Sequence, residues 1–275
     1  MQQDFAPILV TGGTGTLGRL VVARLRDAGR TVRVLTRNPQ ENDPGVEYVI
    51  GDLGTDQGVD AAVRGVATVV HCAGSNKGDE DKARNLVRAA SAAGVSHLVY
   101  ISVVGADRIT ISSGLDGKMF GYFGSKRAAE EVIAGSGIPF TTLRATQFHD
   151  LVLQALQQLA KLPLVPAPKG FRLQPVDAGD VAARLTELAL ARPAGLVPDL
   201  GGPRIYGFSE LMRDYLRTTS RRRLIVQVPM PGKAAASFRS GGNLAPDQAV
   251  GQRTWEQFLS DRLGAQPDQA ATADR

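Results

Sequence analysis

The sequence predicts an α/β fold, a doubly wound parallel sheet carrying a small C-terminal lobe. Three observations lead there. Apolar strand-like runs alternate with helical stretches through the first 145 residues, a glycine turn joins the first run directly to the first helix, and the alternation loosens afterwards. Strands that are apolar at every position belong in a sheet covered on both faces, which means parallel strands with helical crossovers. Right-handed crossovers then wind the sheet outward in both directions and leave ligands at the carboxyl ends of the strands.

The strand-like runs are Ile8 to Thr11, Val32 to Thr36, Val46 to Ile50, Thr68 to Cys72, Leu98 to Ser102 and Phe140 to Leu143. Helical patterns fall between them near 17–28, 56–64, 80–93 and 125–135. Further on come a helix near 147–160, a proline-rich stretch Leu162 to Pro168, an extended run Phe171 to Val176, helices near 178–191 and 208–218, a strand near 224–228 and a closing helix near 254–263. Residues 1–150 therefore read as the core and 151–263 as a smaller lobe with some strands returning to the core. The Ala-, Gln- and Asp-rich 264–275 reads as a flexible tail.

Thr11-Gly12-Gly13-Thr14-Gly15-Thr16-Leu17-Gly18 follows the first strand and opens the first helix. Glycines 12, 15 and 18 give the spacing G-x-x-G-x-x-G: one for the tight turn, one for close approach of a pyrophosphate, one for helix–sheet packing. The helix start supplies unpaired N–H groups and the positive end of the dipole to the phosphates. Gly12, Thr14, Gly15, Thr16, Leu17 and Gly18 are thus expected to hold a dinucleotide. The second strand ends in Thr36-Arg37-Asn38 with no carboxylate, and Arg37 can fork a 2′-phosphate, so NADP(H) is expected over NAD(H). Asp52, before Leu53 at the end of the third strand, is expected near the adenine amino group; it can also read as a cap of the helix that follows, and the two readings are compatible. Ala73, Gly74 and Ser75 end the fourth strand and are small enough for backbone to lie against the cofactor. His71 reads as a packed or partly exposed strand residue.

Tyr122-Phe123-Gly124-Ser125-Lys126 reads Y-x-x-x-K. On a helix the two side chains share one face. The ammonium would lower the phenol's pKa and ease proton donation to a carbonyl, and it could also hold the nicotinamide ribose. Glu130, four residues on, could divert Lys126 into a structural pair. The glycine-bearing stretch 112–121 reads either as a lid or as an ordinary connection. Asp177 and Asp180 read as helix caps.

With the glycine turn, Arg37 and this pair, the chain resembles the short-chain dehydrogenase/reductase superfamily. It is similar in particular to the atypical branch of NmrA-like and NAD(P)H-binding proteins. The markers are Val10-Thr11-Gly12-Gly13-Thr14-Gly15, Lys126-Arg127-Ala128-Ala129-Glu130 and Phe140-Thr141-Thr142-Leu143-Arg144 followed by Gln147-Phe148. The resemblance implies a Rossmann core, a C-terminal substrate lobe, and catalysis by Tyr122 with Lys126 and a helper hydroxyl at the fifth strand. Ser102 stands there, either as that helper or as a strand end satisfying backbone, with Ser112 and Ser113 as substitutes. The resemblance also places Thr146, Gln147 and Phe148 beside the nicotinamide, with His149 as cavity wall or surface. The implied activity is reduction of a small carbonyl-type substrate. The alternatives are a non-catalytic redox sensor and a nicotinamide-dependent epimerase or dehydratase.

Composition narrows the partners. The 275 residues are 43% hydrophobic and 21% charged, with one cysteine, Cys72, which excludes an internal disulfide and a cysteine-built metal site; no metal is expected. No apolar run approaches a membrane span, and Met1-Gln2-Gln3-Asp4 lacks the regions of a signal peptide, so the expected location is cytoplasmic. The net charge of +5 is scattered, and Arg221-Arg222-Arg223 reads as a solvated turn rather than a phosphate-tracking groove. The expected partner is a small-molecule substrate, with neither nucleic acid nor membrane, in a monomer or homodimer.

Overall fold

A computed structural model describes residues 6–41, 43–74, 78–111 and 115–264. In order, the elements are β1 (Ile8–Thr11), α1 (Thr16–Asp27), β2 (Val32–Thr36), β3 (Val46–Ile50), α2 (Val59–Val63), β4 (Thr68–His71), α3 (Asp79–Ala92), β5 (His97–Val103), α4 (Leu115–Ala134) and β6 (Phe140–Ala145). Then follow α5 (His149–Leu159), β7 (Leu164–Pro168), β8 (Arg172–Leu173), α6 (Ala178–Leu190), β9 (Gly195–Leu196), β10 (Tyr206–Gly207), α7 (Phe208–Thr218), β11 (Leu224–Val228), α8 (Lys233–Arg239) and α9 (Trp255–Leu263).

Seven strands form one parallel sheet in the order β3-β2-β1-β4-β5-β6-β9. The chain winds outward one way from β1 and the other way from β4, so the order reverses between them. Alternate residues of each strand feed opposite layers. Val10, Val34, Val70 and Val99 pack with Val21 and Leu25 of α1 and Leu185 of α6. Leu9, Val69, Leu98 and Tyr100 pack with Leu86 of α3 and Ala129 and Ile133 of α4. The central strands β1, β4 and β5 are thus sandwiched and almost wholly buried, whereas the edge strand β3 carries the exposed Glu47 and Ile50. A separate cluster joins α5, α7 and α9 around Leu156, Tyr215 and Trp255 and forms the heart of the lobe.

Several expectations are corrected. Helix α4 begins at Leu115 rather than near 125, so most of the supposed lid is helix, while Ser112, Ser113 and Gly114 lie outside the described residues. Burial of Phe120 and Phe123 against Phe238 outweighs the poor helix propensity of the glycines. Helix α2 is shorter than expected because Gly58 before it takes φ +72°. The proline-rich stretch contains β7, a strand of a two-stranded ribbon with β11, where residues lacking an N–H are tolerated. Only Arg172–Leu173 of the run 171–176 is strand; beyond it the Gln174 amide donates to the Gly202 carbonyl at 2.8 Å. Residues 265–275, most of the expected tail, lie outside the described residues. Among those described, no helix is long and apolar enough to cross a membrane.

Candidate functional site

Two adjoining cavities open where the strand order reverses, at the carboxyl ends of β1 and β4. The first, of about 300 Å3, lies over β1, β2 and β3 and includes Thr14, Thr36, Arg37, Asp52, Leu53, Ala73 and Gly74 in its lining. The second, of about 500 Å3, lies beside α4 and includes Thr16, Leu17, Gly18, Ser102, Tyr122, Lys126, Thr146 and Phe148. Gly12, Gly15, Cys72 and Gly74 line both, so one elongated ligand can span them. Every expected site residue lies on this pair of cavities except Ser75, which is outside the described residues.

The glycines divide the work as their spacing requires. Gly12 takes φ +68°, and a Cβ there would lie 2.7 Å from the backbone of Ala73. A Cβ on Gly18 would collide with the Gly12 carbonyl oxygen, so this position lets α1 close onto the turn. Gly15 is the roomy one, its nearest neighbour being the Gly12 oxygen at 3.3 Å. It is also the N-cap of α1, with no side-chain cap and no acid in the first turn. The helix start therefore faces the cavities with its N–H groups and positive dipole uncompensated. A cradle that a Cβ would fill, over a helix N-terminus, fits the diphosphate of a dinucleotide.

Asp52 is not the cap of α2. Its Oδ1 accepts from the Gly54 N–H at 2.8 Å in a local turn, which leaves it on the wall of the first cavity. Arg37 stands exposed at the rim, after Thr36, whose hydroxyl donates to the Asn38 carbonyl. His71 is fully buried: its Nδ1 is hydrogen-bonded to Thr11 Oγ1 at 2.7 Å and its ring stacks on Tyr100. Burial, and then the charge of Lys126, pushes it down to about 3, so it is a neutral packing residue. Cys72 beside it is pushed up to about 12 by burial, an inert thiol at neutral pH.

Lys126 is 3% exposed and does not pair with Glu130. Glu130 instead accepts two hydrogen bonds from Arg144, at 2.9 and 2.6 Å, clamping α4 to β6. The partner of Lys126 is Asp79, the first residue of α3, with Nζ 3.1 Å from Oδ2. Nζ also donates to the Ile101 carbonyl at 3.3 Å and lies 5.8 Å from the Tyr122 ring centroid. With its charge engaged this way, the ammonium does not depress the phenol as the spacing suggested. Burial, and then Asp79, pushes Tyr122 above the ordinary phenol range, so it stands protonated. Desolvation draws Lys126 itself downward, opposed by Asp79.

Sequence reading missed Asp79, since an acid at the start of a helix looks like a dipole partner. It also missed Phe238, which α8 brings in from more than a hundred residues away to line the second cavity. Ser102 Oγ is buried on that cavity and, among the described residues, has no hydrogen-bond partner; the same holds for both amide atoms of Gln147. Polar atoms stranded in this way await a partner from a ligand. His149 is not a cavity wall but sits buried against Phe258 and Trp255. Asp177 caps α6 by accepting from Gly179 N–H, whereas Asp180 accepts from Gln252 N–H and caps nothing.

Comparison with known proteins agrees with this geometry. The chain is 29% identical over 245 residues to a ceramide reductase of Caulobacter vibrioides, covering 82% of this chain and 74% of that protein. It is 34% identical over 180 residues to a (4-alkanoyl-5-oxo-2,5-dihydrofuran-3-yl)methyl phosphate reductase of Streptomyces griseus, covering 64% of this chain and 60% of the relative. The fold matches that of an NADPH-dependent quinone oxidoreductase from Escherichia coli, solved with NADPH, at a TM-score of 0.77 and 20% identity over 92% of this chain and 99% of that one. A family model described as NAD(P)H-binding matches residues 12–192. The chain belongs to this NAD(P)H-binding family, with a Rossmann-type core.

Proposed function

We propose that the protein is an NADP(H)-dependent oxidoreductase that reduces the carbonyl group of a small, largely apolar substrate. The observation that carries this reading is the convergence of Tyr122, Lys126 and the stranded Ser102 hydroxyl on the cavity that the glycine turn enters. The cofactor, when bound, supplies hydride. Tyr122, held protonated by burial, donates the proton to the carbonyl oxygen, and Ser102 orients that oxygen by hydrogen bonding. Lys126 would hold the nicotinamide ribose. Phe120, Phe123, Phe148 and Phe238 exclude water from the apolar side of the cavity, and Gln147 takes a second polar group of the substrate.

Arg37, with no acid where β2 ends, supports a cofactor carrying a 2′-phosphate. The two relatives named as reductases support reduction as the reaction. A panel of quinones, ketones and aldehydes offered with NADPH tests the reading, following loss of the reduced cofactor. Tyr122→Phe is expected to lower turnover by on the order of 10²-fold or more while changing NADPH affinity less than about twofold. A wild-type protein that binds NADPH but turns over none of the panel would point to a sensor. Full activity of the variant would remove Tyr122 from the chemistry.

A further inference from the structure

We propose that the outer face of the β7–β11 ribbon docks onto an anionic lipid bilayer, in addition to the reduction assigned to the cleft. In this parallel ribbon Leu164 pairs with Leu224, Pro166 with Val226 and Pro168 with Val228. The alternate β7 residues Val165 and Ala167 are buried towards the lobe, so the paired residues form the opposite face. That face would be expected to be polar in a sheet with one side in water. Instead it is apolar throughout: Leu164 is 55% exposed, Leu224 64%, Val226 41% and Val228 39%, with Leu162 at 45% beside them. Contiguous exposed apolar side chains of this kind mark an interaction surface.

Charge identifies the partner. Residues 151–176 hold three basic side chains and 215–246 hold six, and neither segment contains an Asp or Glu. The chain's net +5 therefore divides into +9 over these two segments and −4 over all the rest. Lys161 and Arg222 and Arg223 meet around one shallow groove beside Leu224. Lys161, Arg221, Arg222 and Arg223 are exposed, and among the described residues none of them is ion-paired to a carboxylate. Cations rimming an apolar face suit a surface whose headgroups are negative and whose interior accepts Leu and Val. A second copy of the chain would set like charge against like charge. Nucleic acid would meet the cations but has no use for this aliphatic face, which presents no aromatic ring for stacking.

Co-sedimentation of the full chain with vesicles tests this. Binding is expected to vesicles of equimolar phosphatidylcholine and phosphatidylglycerol, to weaken as salt is raised, and to be absent with phosphatidylcholine alone. Arg221→Glu with Arg222→Glu, and separately Leu224→Asp with Val226→Asp, should each weaken binding about tenfold or more while NADPH affinity is unchanged. Four results overturn the proposal: no sedimentation with anionic vesicles, equal sedimentation with both vesicle types, binding untouched by the Leu224 and Val226 changes, or lipid-free dimerisation that those changes abolish. Because NADPH affinity is read in parallel, failure of docking and failure of the cleft assignment are distinguishable.

Discussion

The first cavity, over β1 to β3, is lined by glycines at 12, 15, 51 and 74 with Arg37, Asp52 and Lys82 among its side chains and no aromatic residue, whereas the second, beside α4, is walled by Tyr122, Lys126, Gln147 and four phenylalanines. The first is drawn from residues 11–82 and the second reaches Phe238. A phosphate needs N–H groups at a fixed distance, which a glycine turn and a helix start supply by themselves. A substrate and a transferred proton need side chains held in place, and each of those needs a partner from somewhere else in the fold. The glycine turn and helix start are therefore largely local structure, whereas the cavity beside α4 is assembled by the tertiary fold.

The seam between the two regions gives the largest expected effect. His71, neutral and buried, has a native-state value near 3 against 6.5 unfolded. Over the interval between, the unfolded chain takes up a proton that the native chain refuses. The stabilising contribution is complete above pH 6.5 and lost as pH falls towards 3, on the order of 5 kcal/mol in all. Urea unfolding across that range should show the fall, and His71→Asn should flatten it. An unchanged slope in the variant would mean the ring is not held neutral at the seam.

A somewhat smaller effect should break the reacting end alone. Lys126→Met leaves the Asp79 carboxylate, 0% exposed, without its nearest cation, and unfolding free energy should fall by about 3 kcal/mol. Adding Asp79→Leu should restore most of that stability, since it also removes the carboxylate that the single variant leaves buried beside the more distant Lys82, 3.4 Å away. Denaturant midpoints of the single and double variants decide it; a neutral single variant would show that the pair is solvated rather than buried.

The smallest effect should sharpen the anion end. On the proposed contact with a 2′-phosphate, Arg37→Ala should lose charge-assisted hydrogen bonds worth about 2 kcal/mol, and NADPH affinity should drop roughly 30-fold with NADH affinity and stability unaltered. Titration of cofactor fluorescence measures both. Equal losses for the two cofactors would show that Arg37 touches no 2′-phosphate.

How much of this was legible follows from how local each feature is. Val10 through Gly18 announced a strand, a turn and a helix because the glycine spacing and the apolar period are written within a short stretch of chain; Gly18 is glycine for contacts within that stretch, whereas Gly12 also makes room for the backbone of Cys72 and Ala73 at the end of β4. The elements of the core likewise follow from strands that could be buried on both faces and nowhere else. Helix α4 was misjudged because glycines at 117, 121 and 124 argue against helix locally, while aromatic contacts with α8 argue for it at a distance. The proline run hid β7 because an edge ribbon forgives missing donors.

The sequence by itself determined the alternation of apolar strands and helices, the glycine turn between β1 and α1, and the residue types available for reaction, since each is written in a short stretch of chain. Only the tertiary structure decided that Lys126 answers to Asp79 and not Glu130, that Tyr122 keeps its proton, and that β7 and β11 join scattered leucines, valines and arginines into one face. Coulomb energy and desolvation depend on distance through space, and separation along the chain carries almost no record of it.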